Sequence, residues 1–122
     1  MVISGLLVSA PAMAAGPNWL KVGDIERNTV YVDANSVRQA GPQTVNFWMR
    51  TVLDPAKPMM AATVEHIAAR CDHPATYVRD AFNTFDGAGR NTHSDTDHDV
   101  RSLTPGSSID SVVTMACEAV HH

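Results

Sequence analysis

The sequence predicts an α+β domain in which strands come first and a single helix comes last. Runs rich in β-branched and aromatic residues fill much of the region from residue 29 to residue 85. An amphipathic segment follows near the C-terminal end and carries Cys117, one of only two cysteines in the 122-residue chain. A helix with a cysteine beside its apolar stripe is placed to be joined to a sheet. These features together predict a layered domain.

Four segments have the composition of strands. Residues 29–33 (TVYVD) alternate between apolar and polar, and residues 44–53 (TVNFWMRTVL) form the densest run of aromatic and β-branched residues. Residues 61–71 mix alanine with β-branched residues, and we interpret them as a strand rather than a helix. Residues 77–85 form the next strand. Within the densest run, Phe47 and Trp48 are expected in the core rather than on a ligand-binding surface.

Prolines, glycines and polar residues separate these strands. Pro55 and Pro58 predict a loop over residues 54–58, because proline cannot donate to a sheet ladder. Residues 86–89 (DGAG) predict a turn. The polar residues 91–99 are interpreted as a loop.

The final helix has a clear start. Ser107 is expected to cap it, and Asp110, three residues later, completes a capping box. Apolar residues then recur at helical spacing. They are Ile109, Val112, Val113, Ala116 and Val120.

Residues 1–15 are interpreted as a signal peptide, followed by one domain over residues 16–122. Residues 1–8 are apolar, and small residues of an A-x-A cleavage site follow them. The apolar run is too short to span a bilayer, and an alternative is a buried N-terminal helix or strand. No cysteine lies at the cleavage junction, which predicts a mature protein without a membrane anchor, periplasmic or secreted.

Export would place the two cysteines in an oxidising compartment. In an oxidising compartment Cys71 and Cys117, 46 positions apart, are expected to form a structural disulfide. The alternatives are a metal pair or a redox pair, but these favour clustered motifs such as C-x-x-C, which the sequence lacks.

Charge and motifs exclude several functions. The formal net charge is −4 and the basic residues are scattered, which argues against nucleic acid as a partner. No G-x-S-x-G nucleophile motif, phosphate-binding loop or dinucleotide-binding fingerprint is present. We therefore expect no enzymatic activity and no cofactor.

Residues 91–99 (NTHSDTDHD) offer one candidate for metal chemistry. Imidazole and carboxylate groups suit Zn²⁺ or Cu²⁺. The residues concerned are His93, Asp95, Asp97 and His98. A calcium loop starting at Asp95 is excluded, since its sixth position is Val100 and its twelfth is Gly106. The alternative, which we favour, is a solvated polar segment that keeps a sheet edge from pairing.

An ordered set of short motifs resembles the bacterial surface-adhesin protein E-like family. The motifs are WLKVG (19–23), VYVDANSV (30–37), Cys71-Asp72, FDGAGR (85–90), LTPGS (103–107) and the final Cys117. The resemblance implies an antiparallel sheet of about six strands, with the C-terminal helix tethered to one face by the disulfide. It also implies adhesion to host proteins, although this chain is acidic and shows no lipidation cysteine.

Two functional hypotheses follow. The first is a non-catalytic exported domain that binds a host or envelope protein through a sheet edge or groove. The second is a periplasmic domain that binds a small ligand or metal through residues 91–99.

Overall fold

The computed structural model of the protein describes residues 16–72 and 75–121, so the predicted signal peptide lies outside the described residues. Within these described residues, the domain consists of eight strands and one α-helix. The strands are β1 (Trp19–Ile25), β2 (Asn28–Asp33), β3 (Arg38–Gly41), β4 (Thr44–Lys57), β5 (Met60–Arg70), β6 (Thr76–Phe85), β7 (Asn91–Asp95) and β8 (Arg101–Ser102). The helix is α1 (Ser108–His121), and a 3₁₀ turn (Ala34–Ser36) separates β2 from β3.

All strand pairs are antiparallel, and the sheet order is β1-β2-β4-β5-β6-β7. In two places, two shorter strands pair with different parts of the same edge of a longer strand. β3 pairs with the start of β4 while β2 pairs further along it, and β8 and β7 divide one edge of β6 in the same way. The predicted fold class is therefore confirmed, with two more strands than the expected six.

One face of the sheet holds the hydrophobic core. Because successive side chains of a strand point to opposite faces, every second residue of β4 lies on this face. The residues buried there come from three neighbouring strands and the helix: Val30, Val32, Val45, Phe47, Met49, Ile67, Ala69, Val112, Val113 and Ala116. The predicted apolar stripe of the helix thus packs where expected.

Helix α1 is joined to the sheet by the disulfide between Cys71, just after β5, and Cys117. Its start has the predicted cap, since the Asp110 backbone N–H donates to Ser107 Oγ over 3.2 Å. In return Asp110 Oδ2 accepts from the Gly106 backbone N–H at 2.9 Å. Among the described residues, no helix is long and apolar enough to cross a membrane.

Three local predictions are wrong. Residues 54–57 do not form a loop but continue β4, with the ladder interrupted between Val52 and Lys57, where Pro55 lies. Residues 91–95 form β7 rather than a loop. Trp48 is not in the core with Phe47: it is half-buried on the opposite face, because adjacent strand residues point in opposite directions.

Candidate binding face

The sheet face opposite the helix, here called the open face, is built from three rows of side chains across β4, β5 and β6. The first row is Trp48, His66 and Ala81, and the second is Arg50, Val64 and Asn83. The third row is Val52, Ala62 and Phe85. Tyr31 of β2 extends the second row beside Arg50.

A cavity of about 350 Å³ lies on this face. Its lining includes Trp19, Arg50, Val52, Val64 and Phe85, together with glycines of the turn after β6. Trp19 belongs to the first strand in the sheet order and Phe85 to the fifth. The sheet therefore curves around the cavity. Its volume falls at the lower end of the range of about 300–1,000 Å³ that is typical of small-molecule sites.

The cavity contains two charged side chains in different electrostatic situations. The Asp86 carboxylate accepts hydrogen bonds from the backbone N–H groups of Arg90 and Ala88, both at 2.9 Å, and it lies 3.3 Å from Arg90 Nε. These contacts, that with the Arg90 backbone N–H first, lower the pKa of Asp86. By contrast, the guanidinium of Arg50, a half-buried residue, has no hydrogen bond or ion pair within the part of the chain that the structure describes.

The first row of the open face contains the imidazole of His66, which is paired with Asp80. His66 Nδ1 lies 2.7 Å from Asp80 Oδ1, and the imidazole ring lies 5.0 Å from the Trp48 ring at an interplanar angle of 56°. His66 and Glu65 face opposite sides of the sheet, as expected for neighbours on a strand. The Trp48 ring and Asp80 thus hold the imidazole from two sides, and the pair is partly exposed on the row next to the cavity.

The covered face also carries a charged cluster on β5 and β6, near the short edge strand β8. The buried Glu65 lies 3.6 Å from Arg79, whose guanidinium stacks over Phe82 at 4.4 Å. Burial raises the pKa of Glu65, and the two arginines Arg79 and Arg101 oppose the shift. Arg101 in turn donates to Asp97 at 2.9 Å, which lowers the pKa of Asp97. Attraction between Arg101 and Glu65, and between Arg79 and Asp97, connects the segment before α1 electrostatically with the sheet.

The four metal candidates of residues 91–99 are spread over different environments. His93 and Asp95 are exposed on β7, and His98 is exposed beyond its end. Asp97 is paired with Arg101. Within residues 16–72 and 75–121, no three His, Cys, Asp or Glu side chains come together in a group that could hold a metal ion. The alternative hypothesis of metal binding there gains no support from the geometry.

Within the described part of the chain, the protein is a small disulfide-bonded α+β domain whose sheet has one face covered by the helix and a cavity on the other. The family model of surface-adhesin protein E matches residues 19–118. The chain therefore belongs to the surface-adhesin protein E family, as the sequence motifs predicted. No curated protein and no solved structure gave a match.

Proposed function

We propose that this protein is a non-catalytic exported interaction domain that binds another protein through its open face. The observation that carries the proposal is the cavity on the one sheet face that the helix leaves uncovered. Family membership supports an adhesin-like role. The family and the disulfide also indicate an exported protein, and we place it in the periplasm or among secreted proteins.

The open face has the composition of a protein-binding surface. Aromatic residues and arginine are enriched in the centres of interfaces, and Trp19, Phe85 and Arg50 lie together around the cavity. The polar strand β7 is the less suitable surface, because the Asn91 side chain already donates to the backbone carbonyl of His93 within this edge strand. We therefore place the contact on the face rather than on the edge.

The test is binding of the purified mature domain to host matrix glycoproteins and to purified envelope proteins, immobilised one at a time for surface plasmon resonance. For any protein that binds, Val64→Arg should weaken binding at least tenfold, because Val64 lines the cavity. Met115→Arg is the matched control, since Met115 is exposed on the helix at the other side of the domain. Equal loss in both variants, or no loss in Val64→Arg, would contradict the proposal.

A further inference from the structure

We propose that the cavity of the open face recognises a carboxylate that lies next to an apolar side chain of the protein partner. This inference rests on the proposed function, which it deepens by naming the chemistry of the contact. Three features of the cavity support it: an apolar wall, an arginine without a partner among the described residues, and a compensated charge at the rim.

The wall of the cavity is mainly apolar. Trp19, Val52, Val64 and Phe85 present aromatic and aliphatic groups to it. An apolar side chain placed there leaves water and gains contact with these groups. The wall alone would therefore select for an aliphatic or aromatic residue without regard to charge.

Arg50 makes the cavity selective for a negatively charged group. Arg50 lies in the second row of the open face, paired with Tyr31 and Val64, and it lines the cavity. No described acceptor engages its guanidinium. A guanidinium offers five N–H donors in a planar fork, and a carboxylate can accept two of them in parallel. Partial burial among apolar side chains strengthens such a pair relative to one in open water.

The negative charge at the rim does not compete for Arg50. Asp86 is occupied by two backbone N–H groups and by Arg90. The Arg90 guanidinium also offsets its repulsion of an incoming carboxylate. The cavity thus pairs an apolar wall with one available cation, which is complementary to a partner segment carrying an apolar residue and an acid.

The carboxylate can come from an Asp or Glu side chain or from the C-terminus of the partner chain. Three dipeptide probes separate these sources: acetyl-Glu-Phe-amide, acetyl-Ala-Phe with a free carboxylate, and acetyl-Ala-Phe-amide, which is neutral. Each is titrated into the disulfide-bonded, ¹⁵N-labelled protein while amide shifts are followed by NMR. We expect at least one charged probe to bind tenfold or more tightly than the neutral probe, with shifts at Arg50, Val64 and Gly87.

Arg50→Gln should reduce the affinity of the charged probe to that of the neutral one while leaving the neutral probe unchanged. Arg38→Gln is the matched control, because Arg38 is an exposed arginine on β3 that donates to the Val37 carbonyl. Equal affinity for charged and neutral probes would overturn the inference, as would absence of binding or wild-type behaviour of Arg50→Gln.

The two proposals fail in different ways. Suppose that an immobilised protein binds in a manner that Val64→Arg abolishes and Arg50→Gln leaves intact. The open face is then the binding surface and the carboxylate inference is overturned. If the charged probes bind through Arg50 but no immobilised protein does, the recognition chemistry is supported and the proposed protein-binding function fails.

Discussion

Glu65 and Asp97 are carboxylates of one charged cluster whose pKa values shift in opposite directions. Burial dominates at Glu65 and raises its pKa above the ordinary value of 4.5. A hydrogen bond from Arg101 dominates at Asp97 and lowers its pKa below 3.8. The folded protein therefore holds a proton on Glu65 at pH values where the unfolded chain has lost it. Stability contributed by Glu65 must then fall as pH rises from 4.5 through the folded-state pKa.

Glu65→Gln tests this directly, because the variant removes the titrating group and keeps a similar shape. The free energy of unfolding of the wild type minus that of the variant should decrease with pH above 4.5 and then level off. Urea unfolding at intervals between about pH 4 and pH 8 measures the difference, and the range brackets the titration of a raised Glu. A difference that rises with pH would mean that the ion pair with Arg79 outweighs burial.

The β1–β2 hairpin carries two non-glycine residues in the left-handed region, Glu26 at φ 54° and Arg27 at φ 73°. A two-residue hairpin turn of this kind favours glycine, because a Cβ atom is strained at positive φ. Arg27→Gly should raise the free energy of unfolding by about 1 kcal/mol, whereas Arg27→Ala, which keeps the strain, should not. Thermal unfolding of both variants checks this, and equal stability of the two would contradict it.

At the scale of secondary-structure elements, the sequence predicted the strands and the helix that are marked by a pattern in their own residues. The capped helix and the strands rich in β-branched residues are where the residues placed them. The extension of β4 past Leu53 was missed because Pro55 forbids a ladder hydrogen bond but does not forbid an extended chain. β7 was missed because its five exposed residues are polar, and only its pairing with β6 makes it a strand.

The start of α1 provides a prediction for a single element. Ser107→Ala removes the acceptor of the Asp110 N–H and should lower the free energy of unfolding by about 1 kcal/mol. Ser108→Ala is the matched control, since this neighbouring serine has no side-chain hydrogen bond among the described residues. Chemical denaturation of both variants measures the difference. Equal destabilisation by the two substitutions would assign the effect to helix propensity rather than to the cap.

At the scale of the whole molecule, the sequence did not predict the candidate binding face. Trp19, Arg50, Val64 and Phe85 have no shared motif, and their proximity depends on strand registers and sheet curvature set by long-range pairing. The local sequence instead indicated residues 91–99, because histidines and aspartates are clustered there. One sequence pattern does indicate part of this face. Trp48, Arg50 and Val52 alternate along β4 and therefore lie on the face opposite Phe47.

The disulfide links helix α1 to the end of β5 and so stabilises the arrangement in which the helix covers one sheet face. Cys71 and Cys117 close a loop of 46 residues. In the chain-entropy model such a cross-link stabilises the folded state by about 4 kcal/mol, which corresponds to a Tm difference of about 15–30 °C for a domain of this size. Cys71→Ala/Cys117→Ala should therefore lower Tm by that amount in non-reducing buffer.

Reduction of the wild type with dithiothreitol is the internal control, because it removes the same cross-link without changing the sequence. It should bring the wild type close to the Tm of the double variant and leave the variant unchanged. The core residues Val112, Val113 and Ala116 would still favour the docked helix, so the variant should remain folded at low temperature. A Tm loss of only a few degrees would mean that this apolar contact alone holds the helix on the sheet.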